Sequence, residues 1–126
     1  MKVALVTGGG TGIGRAAALE LNKIDFVVYV VGRREEELNK TSSLAENKNF
    51  KIIPVKIDIT NGNEVIDLFN KINNDHGRID LLFNNAGMGA PRVPIEELKE
   101  EDWRKTVDVN LTGSFLCSQQ AIKLMK

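Results

Sequence analysis

The chain has 126 residues, 42% of them hydrophobic and 27% charged, a mix that fits one folded domain and excludes a disordered chain. Seventeen basic side chains balance seventeen acidic ones, which argues against a dedicated nucleic-acid binder. The single cysteine, Cys117, cannot close an internal disulfide, so a reducing cytoplasmic compartment is the expectation.

No apolar run reaches the ~18–20 residues that span a bilayer. The N-terminus breaks into glycines too early for a signal peptide. Val3-Ala4-Leu5-Val6 is a continuous apolar run, the pattern of a strand buried on both faces. The glycine-rich stretch Gly8 to Gly14 follows it, and helix formers run from Arg15 to Lys23. Phe26 to Val31 reads as a second buried strand, and Glu35 to Glu46 as a charged surface helix. Lys51 to Ile57 is a third strand, placed at the sheet edge by Pro54.

Asn61 and Glu64 have the spacing of a capping box for the next helix. Val65, Ile66, Phe69 and Ile72 give that helix an apolar face, and Gly77 stops it. Ile79 to Phe83 is a fourth strand. Trp103, Val107, Leu111 and Phe115 recur every fourth residue and Ile122 extends the stripe, which predicts one long helix from about Glu101 to the end. Alternating strands and helices imply right-handed crossovers and an α/β doubly wound parallel sheet of Rossmann type, with order 3-2-1-4.

The loop Thr7-Gly8-Gly9-Gly10-Thr11-Gly12-Ile13-Gly14 joins the first strand to the first helix. Glycines there let backbone N–H groups approach an anion, and the helix start adds unpaired N–H groups and partial positive charge. A nucleoside-triphosphatase loop would need Gly-Lys-Ser or Gly-Lys-Thr, whereas counting from Gly9 gives Gly14-Arg15-Ala16, with no hydroxyl for Mg²⁺. Dinucleotide binding remains. An acidic residue closing the second strand would bind the ribose 2′-OH of NAD. That strand ends instead in Val31-Gly32-Arg33-Arg34. Paired guanidinium donors suit the 2′-phosphate, so Arg33 and Arg34 favour NADP(H) over NAD(H).

Four ordered motifs resemble the classical short-chain dehydrogenases/reductases over the whole chain, residues 1–126. They are Thr7-Gly8-x-x-x-Gly12-x-Gly14, Asp58 in Asp58-Ile59-Thr60, Asn84-Asn85-Ala86-Gly87, and Val109-Asn110. The extended, epimerase-like branch has glycine where Thr11 stands and does not fit. The resemblance implies that Gly8, Gly12, Ile13 and Gly14 surround the pyrophosphate, with Gly10 and Thr11 completing the cofactor loop. Asp58 and Ile59 would meet adenine. Asn85, Ala86 and Gly87 would line the ribose and the path to the nicotinamide. Thr7 would hold the segment after the fourth strand, and Asn110 would bend its helix and bind a water in a proton relay.

The resemblance also implies hydride transfer to or from a small-molecule carbonyl or alcohol, with a catalytic serine and a Tyr-x-x-x-Lys pair beyond Asn110. In the family all three lie after the Asn110 helix, the serine on the next strand, and neither that strand nor a Tyr-x-x-x-Lys is found before Lys126. The expectation is therefore the cofactor-binding half of a longer oxidoreductase, inactive alone; the alternative is a non-catalytic NADP(H)-binding module or truncated pseudoenzyme. Tyr29 reads as a sheet or core residue, His76 as a helix-end residue, and Cys117 as a helix-packing residue. No metal site is expected. The final helix, residues 101–126, would pack on the sheet or join a second copy, as it does in the family.

Overall fold

The computed structural model describes residues 1–126. β1 (Lys2–Thr7) is buried on both faces, and its alternating side chains feed two separate cores. Val3 and Leu5 join Val27, Tyr29 and Val31 of β2 (Phe26–Gly32) on one side. Ala4 and Val6 join Val28 and Val30 on the other. Helices cover both faces, which is why these two strands are apolar without alternation.

The sheet is parallel throughout, in the order β3-β2-β1-β4, as the strand–helix alternation predicts. β3 (Ile52–Lys56) lies at one edge, with Pro54 paired to Val30. β4 (Leu81–Phe83) lies at the other. α1 (Gly12–Lys23) and α2 (Glu35–Ser43) pack on the Ala4 side through Ala18 and Leu38. α3 (Gly62–His76) packs on the opposite side through Val65, Leu68, Phe69 and Ile72.

Local details depart from expectation. β4 starts at Leu81; just before it the Asp80 N–H donates to the Val3 carbonyl at 2.8 Å, while the Val3 N–H donates to the Asp80 carboxylate, also at 2.8 Å, in place of a strand carbonyl. α2 ends at Ser43, three residues early, where the Ser42 hydroxyl bonds the Ile52 carbonyl at 2.6 Å. The Asn61 side chain caps α3 by accepting from the N–H groups of Asn63 and Glu64. Glu64 does not close the capping box. It accepts instead from the Asp58 N–H, tying the helix to the turn after β3. Gly77 ends α3 in the left-handed conformation, as expected.

The predicted long helix is three segments: α4 (Glu100–Val107), a π-helical turn (Asp108–Thr112) and α5 (Gly113–Met125). The π turn inserts a residue and rotates the two halves relative to each other. Small residues form the buried face of α5: Gly113, Cys117 and Ala121. The apolar stripe points outward instead, with Trp103, Leu111, Phe115 and Ile122 each more than half exposed. None of these four packs with the two cores that flank β1 to β4. No helix is long and apolar enough to cross a membrane.

Tyr29 is a fully buried sheet residue, as expected. Its hydroxyl lies 2.9 Å from both Asp75 and His76 Nδ1, so His76 contributes a side-chain contact as well as its place at the helix end.

Candidate functional site

The C-terminal ends of β1, β2 and β4 open onto one cleft, at the point where the strand order reverses, with β2 and β3 on one side of β1 and β4 on the other. The cleft holds a cavity of about 610 Å³. Its floor is the glycine loop. Gly8 donates to the Val31 carbonyl at 2.9 Å, which fastens the start of the loop to β2. The N–H groups of Gly10, Thr11, Gly12 and Ile13 have no acceptor within the protein. Four unpaired donors at a helix start form a ready anion site.

Two glycines show why the loop needs this sequence. Gly12 has φ +55°, the left-handed region, with open space where a Cβ would stand. Gly14 has ordinary φ, but a Cβ there would sit 2.1 Å from the Gly8 carbonyl oxygen. The close contact is thus with the loop's own backbone.

Thr7 does not line the cavity; it is buried behind it. Its hydroxyl accepts from the N–H groups of Asn85 at 3.0 Å and Ala86 at 2.9 Å, and faces the Phe83 carbonyl. Asn85 returns a bond from its amide to the Gly8 carbonyl at 3.2 Å. These contacts, 77 to 79 residues apart in sequence, bring Asn85 and Ala86, and with them Gly87, against the glycine loop.

Arg33, Arg34, Asp58 and Ile59 line the opposite end of the same cavity. Both arginines are exposed. Asp58 accepts from the Thr60 hydroxyl at 2.7 Å and the Thr60 N–H at 2.9 Å. These bonds, helped by the Arg33 charge, hold its carboxyl below the usual range against the opposing effect of burial.

Asn110 lies in the π turn and also stands outside the cavity wall. Its carboxamide accepts from the Met88 N–H at 2.8 Å and donates to the Met88 carbonyl at 2.9 Å. Its own carbonyl accepts from the Ser114 hydroxyl at 3.1 Å. Asn84 is turned away, toward Ser118.

The cleft therefore gathers Gly8, Gly10, Thr11, Gly12, Ile13, Arg33, Arg34, Asp58, Ile59, Asn85, Ala86 and Gly87, while Thr7, Gly14 and Asn110 shape it from behind. Among the lining residues that sequence reasoning did not place in the cleft are Glu37 and, as a wall residue, Val109. Glu37 belongs to a run of three glutamates that reads as a solvated helix start, so nothing local marks it.

A family model described as short chain dehydrogenase matches residues 2–126. The chain belongs to the short-chain dehydrogenase family. It is 37% identical to a 3beta-hydroxysteroid dehydrogenase of Mediterraneibacter gnavus, over 99% of this chain and 45% of that protein. Its fold is similar to that of an NAD⁺-bound xylitol dehydrogenase, with TM-score 0.92, 30% identity, and coverage of 98% of this chain and 47% of that one. It is also similar to an actinorhodin polyketide ketoreductase with NADPH, with TM-score 0.90, 33% identity, and 98% and 47% coverage. This short-chain dehydrogenase chain spans about half the length of the curated relatives it matches.

Proposed function

We propose that this chain is the cofactor-binding half of an NADP(H)-dependent oxidoreductase acting on a small-molecule carbonyl or alcohol. One observation carries the reading: a single cleft joins four unpaired loop N–H groups to the exposed pair Arg33 and Arg34, where β2 ends without an acid. The N–H groups suit a pyrophosphate, and the guanidinium groups suit a 2′-phosphate. Bound NADP(H) supplies or accepts the hydride at its nicotinamide.

The chain's own residues bind and orient. Gly10 to Ile13 donate to the diphosphate, with Gly8 and Gly14 holding the loop's shape. Asp58 and Ile59 flank the adenine. Asn85, Ala86 and Gly87 line the ribose side, kept there by Thr7. Asn110 orients the wall near the nicotinamide through Met88 and is the one member of the catalytic set within these residues. The serine, tyrosine and lysine that would move the substrate proton lie outside them. The reading places the protein in the cytoplasm, away from nucleic acid and membranes. It assigns the exposed stripe along α4 and α5 to contact with a second copy.

The test is titration with NADPH and NADH, followed by fluorescence. Tighter binding of NADPH supports the reading. Tighter binding of NADH overturns the cofactor preference, and binding of neither overturns the dinucleotide site.

A further inference from the structure

Three consecutive carbonyls of the glycine loop are each held by a side chain from a different element. The Gly8 carbonyl accepts from Asn85, after β4. The Gly9 carbonyl accepts from the Thr41 hydroxyl of α2 at 2.8 Å. The Gly10 carbonyl accepts from Arg15 of α1. No backbone N–H reaches the Gly9 or Gly10 carbonyl, so these side chains supply what secondary structure supplies elsewhere.

Arg15 joins the last two holds into one unit. Its Nε donates to Thr41 Oγ1 at 3.0 Å. The terminal nitrogen that reaches Gly10 also donates to the Glu37 carbonyl at 3.1 Å and the Glu37 carboxylate at 3.0 Å. Thr41 is fully buried, and the Arg15 side chain is 20% exposed. Neither lines the cleft, whereas Glu37 does. The planar guanidinium fork can hold several acceptors in fixed directions, which a lysine ammonium cannot.

We propose that Arg15 and Thr41 are positioning residues for the cofactor diphosphate: they fix the Gly9 and Gly10 carbonyls behind the loop, so that the following N–H groups stay aimed into the cleft. This rests on the dinucleotide reading above and deepens it. A glycine-rich loop has the largest conformational freedom of any backbone, and its unpaired donors would otherwise be spread over many directions. Preorganising them shifts that ordering cost from ligand binding to folding.

The test compares wild type, Arg15→Met, Thr41→Val and Thr41→Ser, using the full chain. Two probes are titrated by calorimetry or NMR: NADPH, which crosses the loop, and adenosine 2′-monophosphate, which carries no diphosphate and reads only the adenosine end. Arg15→Met and Thr41→Val should each weaken NADPH binding about tenfold or more. Both should leave 2′-monophosphate binding within about twofold, since charge-assisted hydrogen bonds act locally. Thr41→Ser keeps the hydroxyl and should restore NADPH binding. Thr41→Val keeps the side-chain shape and carries the same expectation should Arg15→Met fail to fold. Unchanged NADPH affinity in a folded variant overturns the proposal. So does a parallel loss of both probes with a lowered unfolding midpoint, because that is general damage. Wild type binding neither probe overturns the dinucleotide reading, and this inference with it.

Discussion

The carboxamide of Asn110 spends a donor and an acceptor on one peptide unit, taking the N–H and the carbonyl of Met88, 22 residues upstream. This pairing mimics a rung of β-sheet between a helix side chain and a loop. It fixes the segment that leaves β4 against the π turn, and so sets one wall of the cleft. A helix that continued regularly through residues 108–112 would rotate Asn110 to a different angle, so the irregular turn and the contact belong together.

Asn110→Ala should therefore loosen that wall. Two hydrogen bonds at an exposed site are worth about 1–2 kcal/mol at most in stability. Urea unfolding of variant and wild type would read the loss. Hydrogen exchange at the Met88 amide should rise while that of β1 stays protected.

Arg33→Asp should weaken NADPH and spare NADH. Loss of a charge-assisted phosphate contact corresponds to about a 10- to 100-fold change. Equal loss for both cofactors would show that Arg33 does not read the 2′-phosphate.

Gly14→Ala and Gly12→Ala should differ in kind. The new methyl at Gly14 meets the Gly8 carbonyl and the Asn85 amide, at 2.1 and 2.6 Å. That clash should cost about 1–3 kcal/mol or more and displace the loop, abolishing dinucleotide binding. Gly12→Ala meets nothing and bears only the left-handed backbone penalty, about 1 kcal/mol. Thermal unfolding of the pair, with NADPH titration, would separate the two effects.

The Asp80 carboxyl is held below its usual range, chiefly by its bonds to Arg78 and also by the Val3 N–H. A depressed carboxylate stabilises the fold above the unfolded-state value of about pH 4, and that stability disappears as pH falls through the folded value. Asp80→Asn should thus be less stable than wild type at neutral pH, with the gap narrowing in acid. Urea midpoints at pH 7 and pH 3 would test it; a gap that widens in acid would contradict it.

Cys117 is fully buried on α5, and burial pushes its thiol up to about 11. At pH 8 almost none is thiolate, the reactive form. Native protein should resist thiol reagents that label the denatured chain at once. Its raised value also means stability falls as pH climbs from about 8.5 toward 11, because the unfolded thiol ionises first. Rapid labelling of the native protein would show that α5 opens readily.

Much of this molecule is written locally. The apolar runs Val3–Val6 and Phe26–Val31 contain no charged or amide side chain, so they must be covered on both faces, and together with the strand–helix alternation that dictates a parallel sheet flanked by helices. The glycine loop and the Arg33–Arg34 pair are equally local, because phosphate-binding backbone and strand-end charge depend on short stretches of chain. What could not be read there depends on pairs of residues far apart. Spacing marks a helix through Trp103 and Phe115 but not its face, since the π turn and the small residues Gly113, Cys117 and Ala121 decide which side approaches the sheet. Arg15 looks like a failed triphosphatase lysine until Gly10, Glu37 and Thr41 surround it. Glu37 looks like a solvated charge until the same contact brings it to the cleft. Local sequence sets backbone preference and burial; only packing settles which distant donor meets which unpaired carbonyl.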